Sequence, residues 1–186
     1  MSDDLPTSDV PSPGVPTPGV PTPAEGVALA RAARGGDTLA MQDLLGRLTP
    51  YIARICTPIA LAGGPDATQE ALVVVFRSLR SLREPEALYG WVRAIAVREA
   101  VRIARRDARD RPAELAELPA RGDPQLRADI HDVLTRLAPE HRAVLVLRDI
   151  EGLDEQAAAA LLDIPTGTVK SRLHRARASF RRAWSS

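Results

Sequence analysis

The side chains with the greatest chemical reach are dispersed over most of this chain and crowded at its end. His131, His141 and His174 stand in unrelated places and Cys56 is the single cysteine, so no group of ligands has the spacing of a zinc site. No glycine-rich loop ends in Lys-Ser or Lys-Thr, and no nucleophile elbow is present. Glu114 and Glu117 lie one helical turn apart, but in a proline-flanked stretch that supports acid–base chemistry poorly. No enzyme active site, metal or cofactor is therefore expected. The cations are another matter. From Pro165 to Ser186 the chain carries Lys170, Arg172, Arg175, Arg177, Arg181 and Arg182 with no Asp or Glu, a sum of +6. His174 adds to this near neutral pH. Surface helices usually mix signs, because opposite charges one turn apart stabilise them. A stretch of cations alone repels itself unless something anionic sits opposite, and the DNA phosphate backbone is the natural candidate.

Two helical patterns position those cations. Leu153, Ala157, Ala160 and Leu161 recur at helical spacing, and Asp163-Ile164-Pro165-Thr166 breaks the pattern. A second helix is expected from Gly167 to Trp184, with Val169, Leu173, Ala176 and Phe180 on one face. Two short helices joined by a tight turn, the second basic, have the pattern of a helix-turn-helix. Two more helices should pack beneath them. One covers 124–137 through Leu126, Ile130, Val133 and Leu134; the other starts at Pro139, turns Ala143, Val144, Leu147 and Ile150 inward, and ends at Gly152.

The stretch from Leu137 to Arg177 resembles the C-terminal, promoter-binding region of bacterial RNA polymerase sigma factors of the extracytoplasmic-function group. The block Ile164-Pro-Thr-Gly-Thr-Val-Lys-Ser-Arg-Leu-His-Arg-Ala-Arg177 is its most specific part. Asp163 stands where the family usually has Gly, and Ala157 to Ala160 replace a more varied helix. Asp tolerates turn backbone and Ala is the best helix former, so neither change threatens the motif. The resemblance implies that residues 167–177 enter a major groove at the minus-thirty-five element. Lys170, Arg172, His174 and Arg175 would face DNA, Thr166, Thr168 and Ser171 would contact phosphates or bases, and Arg177, Arg181 and Arg182 would meet phosphates or solvent.

Residues 25–107 read as an all-helical bundle. A short helix ends at Gly35-Gly36, and Asp37 caps a longer one striped by Leu39, Leu44, Leu45, Leu48, Ile52 and Ile55. Pro58 and Gly63-Gly64-Pro65 are expected to end it. A third helix starts at Asp66 or Thr68 and runs to about Leu82, and Glu84-Pro85 opens a fourth. Leu88, Trp91, Val92, Ile95, Val101 and Ile103 mark the buried side of the fourth; Arg93, Arg98, Arg102, Arg105 and Arg106 mark its cationic side. The helix order is similar to the N-terminal region of the same sigma group. There the third helix contacts the β′ clamp of core polymerase, and the third and fourth open the minus-ten element. This implies core-binding roles for Asp66, Gln69, Glu70, Val73 and Val74, with Val73-Val74 replacing the family's Gln-Glu. It implies contacts to melted promoter DNA for Tyr89, Trp91, Arg93, Arg98 and Arg102, where aromatic rings and arginines suit unstacked bases and their backbone. Trp91 also fits a core position.

The remaining segments are of low complexity. Residues 1–24 repeat Val-Pro-Ser/Thr-Pro and carry Asp3, Asp4 and Asp9 without a cation, which predicts an extended polyproline-like tail and no secretory signal. Residues 108–123 read as an acidic flexible linker. With aromatics at 3% the core must come from Leu, Val, Ile and Ala. A lone cysteine fits a reducing cytoplasm, and no stretch reaches the roughly 18 apolar residues of a membrane span. The expected fold is all-α, with two small helical domains, 25–107 and 124–186, the second a helix-turn-helix. The expected function is that of a cytoplasmic sigma factor recruiting core RNA polymerase to double-stranded and melted promoter DNA, with an anti-sigma factor as a further candidate partner. Two alternatives stand beside it: a sigma-derived DNA-binding regulator that does not engage polymerase, and a module that sequesters an anti-sigma factor.

Overall fold

A computed structural model describes residues 23–110 and 124–184. Among them the chain is all-helical and contains no strand, as expected. Residues 1–22 and 111–123, most of the expected proline-rich tail and acidic linker, lie outside the described residues; Pro23 and Ala24, expected in the tail, begin the first helix, and residues 108–110, expected in the linker, end the fourth.

Helix α1 (Pro23–Arg34) ends at Gly35-Gly36, where Gly36 takes a positive φ of 99°. The Asp37 carboxylate then accepts hydrogen bonds from the amides of Leu39 and Ala40, at 2.9 and 3.0 Å, and starts α2 (Thr38–Ala60). Such a cap contributes about 1 kcal/mol. The buried line of α2 runs through Ala40, Leu44, Leu48, Ile52 and Ile55. Leu39, expected in that stripe, is 73% exposed, because it lies one residue and ~100° around the helix from Ala40. The helix also passes through Pro58 instead of ending there, with Ile59 and Ala60 buried beyond it.

A single 3-10 turn, Leu61–Gly63, leads to α3 (Gly64–Ser78), which begins ahead of Asp66 and holds Pro65 in its first turn. The expected run to Leu82 stops at Ser78. A tighter turn, Leu79–Ser81, brings Leu79 and Leu82 back into the core. Another 3-10 turn, Pro85–Ala87, opens α4 (Leu88–Asp110). Helices α2, α3 and α4 pack on one another, with α1 across α2.

In the second half, α5 (Pro124–Thr135) and α6 (Pro139–Leu145) support the last two helices. Beyond α6 the helix widens by one residue per turn over Val146–Ile150. That extra residue rotates the register. Leu147 stays buried, whereas Ile150, expected inward, is 53% exposed. Gly152, at φ 67°, ends the segment. Asp154 caps α7 (Glu155–Leu162), accepting from the Ala157 amide at 2.7 Å. The inward alanines of α7 are Ala158 and Ala159, while Ala157 and Ala160, expected inward, are exposed. Four consecutive alanines carry no periodicity to fix that register. Helix α8 (Thr166–Trp184) follows. Its Val169 and Leu173, with Ala158 and Val144, belong to the same hydrophobic core as Leu48 and Val92 of the first half.

Candidate nucleic-acid interface

The turn between α7 and α8 is set by backbone chemistry. Asp163 adopts the left-handed conformation (φ 52°, ψ 51°), and its amide and that of Ile164 both donate to the Ala159 carbonyl. Pro165 then starts α8, its carbonyl accepting from Thr168 at 2.8 Å. An Asp in this conformation is less comfortable than Gly but accessible, since a short polar side chain tolerates it.

Burial of Val169, Leu173 and Ala176 against α6 and α7 fixes which way the rest of α8 looks. Lys170, Ser171, His174 and Arg175 are exposed, and Thr166 and Thr168 are half-buried at the helix start. Ser171 Oγ donates to the Thr168 carbonyl at 3.0 Å, and Lys170 Nζ lies 3.4 Å from Glu155. Arg177 is taken by Asp149, whose hydrogen bond pushes the guanidinium pKa up. Arg172 faces elsewhere. It is half-buried and lines a cleft of about 600 Å³ opposite Arg98, Arg102, Arg105, Arg106 and Arg109 of α4. On the neighbouring α6, His141 is held below its ordinary pKa by burial and then by Arg172 and Arg175, against the opposing pull of Glu140.

The expected contacts in the first half are spread along α3 and α4. Tyr89 and Trp91 are half-buried on the core, and the Tyr89 ring meets Tyr51 edge-on at 5.5 Å. Arg98 and Arg102 are exposed; Arg102 pairs with Glu99 at 2.7 Å and approaches Glu70 at 3.8 Å. Asp66, Gln69 and Glu70 are exposed on α3, Asp66 lying 3.7 Å from Arg106, while Val73 and Val74 are half-buried. Arg93 is engaged within the molecule: its Nε donates to Glu151 at 2.9 Å.

Four residues outside the sequence expectations, Glu151, Arg54, Tyr51 and Arg142, hold the halves together. The Glu151 side chain, 2% exposed, accepts from Arg54 at 2.7 Å, Arg93 at 2.9 Å and the Tyr51 hydroxyl at 3.3 Å. Burial, and then the Glu151 charge, push the Tyr51 pKa up to about 12. Arg142, 5% exposed, donates to the carbonyls of Ile59, Leu137 and Leu134, at 2.6, 2.7 and 3.2 Å. Burial lowers its pKa to about 10. The one sequence signal for Arg142 was a cation directly abutting the apolar run 143–147; nothing in the sequence marked Arg54 or Glu151.

The fold and this surface define a two-part, all-helical protein that presents a cation-only helix after a tight turn. Residues 127–180 match the family described as Sigma-70, region 4. The chain is 37% identical over 128 residues to the ECF RNA polymerase sigma factor SigE of Mycolicibacterium smegmatis, a match covering 62% of this chain and 49% of that protein. It is 29% identical over 170 residues to the ECF RNA polymerase sigma-E factor of Haemophilus influenzae, covering 81% and 90%. The chain thus matches about half the length of the first relative and nearly all of the second. Two solved structures share the fold, each at 23% identity. CnrH in complex with the cytosolic domain of CnrY gives a TM-score of 0.61, covering 87% of this chain and 97% of that one. The sigma factor RpoE in complex with the anti-sigma factor NepR from Bartonella quintana gives 0.64, covering 77% and 95%. Residues 127–180 thus carry the Sigma-70, region 4 match, and most of the chain is similar to extracytoplasmic-function RNA polymerase sigma factors.

Proposed function

We propose that this protein directs core RNA polymerase to a set of promoters and initiates transcription there. The observation that carries the reading is α8, which buries Val169, Leu173 and Ala176 and leaves Lys170, Ser171, His174 and Arg175 outward with no acid on the helix. Phosphate contacts from these cations supply affinity, and the side chains that reach base edges supply sequence choice. In this reading residues 124–186 form a helix-turn-helix domain for the minus-thirty-five element. Residues 25–107 hold the polymerase clamp through Asp66, Gln69, Glu70, Val73 and Val74 of α3. The same domain holds the melted minus-ten element through Tyr89, Trp91, Arg93, Arg98 and Arg102 of α4. The polymerase performs the chemistry and this chain has no catalytic role. It acts in the cytoplasm, and no described helix is long and apolar enough to cross a membrane. Proteins that occlude these surfaces, as anti-sigma factors do, are natural partners.

Two measurements test the reading. The purified protein should co-elute with core RNA polymerase on a sizing column at micromolar concentration; failure to do so overturns the initiation role. Lys170→Glu with Arg175→Glu, both on the outward face of α8, should weaken duplex binding by at least about a hundredfold, since two phosphate-seeking cations become anions, with helicity unchanged.

A further inference from the structure

Five arginines share one face of α4. Arg98, Arg102, Arg105, Arg106 and Arg109 recur three or four residues apart, within an arc of ~100° and over ~16 Å of helix. Like charges at these spacings destabilise a helix, and nearby acids offset only part of the row. Arg102 pairs with Glu99 at 2.7 Å, Arg105 with Glu140 at 2.6 Å and Arg106 with Asp107 at 3.2 Å. Arg98 and Arg109 have no carboxylate within salt-bridge distance among the described residues, and neither has Arg172 of α8.

All six arginines line the cleft of about 600 Å³ between α4 and the helices α6 to α8. Glu140 is the one acid among its lining residues, so six guanidiniums and one carboxylate leave a net +5. The rest of the lining is apolar: Val97, Val101, Ala143, Leu162 and Ile164. A cleft of this size lies within the ~300–1,000 Å³ of small-molecule sites, and convergent polar groups on an apolar lining are their usual composition.

The cation type narrows the ligand. A guanidinium offers a planar fork of donors that fits two oxygens of one phosphate, and such bonds are among the strongest neutral-pH contacts to anions. One phosphate cannot meet guanidiniums drawn from three turns of α4 and from α8. A chain of phosphates can, each unit taking a different arginine. We infer that the cleft is a binding site for an oligophosphate, with Arg98, Arg109 and Arg172 as its principal ligands. Such a chain comes either free or carried on a nucleoside, whose flat base would lie on the apolar lining. Arg98 and Arg102 are also the expected contacts to melted promoter DNA, so a bound oligophosphate competes with that strand, a consequence that rests on the promoter reading.

Isothermal titration calorimetry of the full-length protein tests the site, with tripolyphosphate, ATP and AMP as probes. At ~0.15 M salt, charges more than about 8 Å apart are largely screened, which suppresses diffuse attraction. Tripolyphosphate or ATP should bind saturably, one per chain, and at least about tenfold more tightly than AMP. Arg109→Gln and Arg172→Gln, on different helices, should each weaken that binding by about tenfold. Arg175→Gln removes the same charge from the outward face of α8 and should leave it unchanged. Far-ultraviolet circular dichroism checks that each variant keeps its helicity; if one does not, the other decides. ATP binding more tightly than tripolyphosphate assigns the nucleoside-borne chain, and equal or weaker binding assigns the free one. No saturable binding of either, AMP binding as tightly as both, or equal weakening by Arg175→Gln overturns the site. None of these readings involves promoter DNA or polymerase, so failure here is distinct from failure of the initiation role.

Discussion

Arg142 shows how a single buried cation can be tolerated without a carboxylate. It serves the ends of two helices, α2 through Ile59 and α5 through Leu134 and the following Leu137, where carbonyls lack intrahelical partners and the helix dipole favours positive charge. Each charge-assisted bond contributes about 1.5–3 kcal/mol, but burial opposes the charged form, as its lowered pKa of about 10 records. Arg142→Met keeps much of the volume and removes both effects. Its expected net cost, read from urea unfolding, is about 3 kcal/mol, below the sum of three bonds because the desolvation penalty disappears too. His141 gives a pH signature of definite sign. Its folded pKa is depressed by burial and by Arg172 and Arg175, so in mildly acid solution the unfolded chain takes up the proton more readily. Its contribution is therefore neutral well above pH ~6.5 and destabilising as pH falls through that value. Between pH 7.5 and 5.5 the urea midpoint of wild type should fall further than that of His141→Gln. Equal falls would show that the cations of α8 do not act on this ring.

At the scale of elements, a close helix approach in the first half depends on an absent side chain. A Cβ on Gly63 would lie 2.5 Å from both Asp107 Oδ2 and Ile103 Cγ2 of α4. Gly63→Ala must push α4 away from the start of α3, at a cost of about 1–3 kcal/mol. Gly46, inside α2, has nothing within 4 Å of such an atom. Gly46→Ala should instead stabilise by about 0.5–1 kcal/mol, through restriction of the unfolded chain. Opposite shifts of the thermal midpoint in the two variants would confirm the packing. The elements most legible in the sequence were those with a local cause: Asp37 as a cap, Gly35-Gly36 and Gly152 as stops, Asp163 in the turn, and Val169, Leu173 and Ala176 as the inner face of α8. The misplaced residues lacked one. Ile150 is turned out by the widened helical turn after α6, Ala157 and Ala160 sit in a run with no periodicity, and Leu39 is apolar without being covered.

The relation between the two halves was the least legible feature, because it rests on pairs about sixty to a hundred residues apart: Arg93 and Tyr51 with Glu151, Ile59 with Arg142. Helical spacing reports which face of an element is apolar, not which distant element covers it. The structure answers with one continuous core running from Ala30 to Leu173, and this has a thermodynamic consequence. If α6 and α7 cover α2 and α4, neither half keeps its full burial after the other unfolds, so both should melt together. Cys56 supplies an intrinsic probe of the first half. It is fully buried in α2, and burial pushes its thiol up to about 12, so alkylation near neutral pH requires unfolding. Hydrogen exchange of the Leu173 and Ala176 amides reports the second half. In wild type, protection of Cys56 and of these amides should be lost at the same urea concentration. In Glu151→Gln the two should separate, with α8 yielding first, because its half is built of shorter helices and depends more on the shared core. Two separate midpoints in wild type would mean that the halves fold independently and that their contact is marginal.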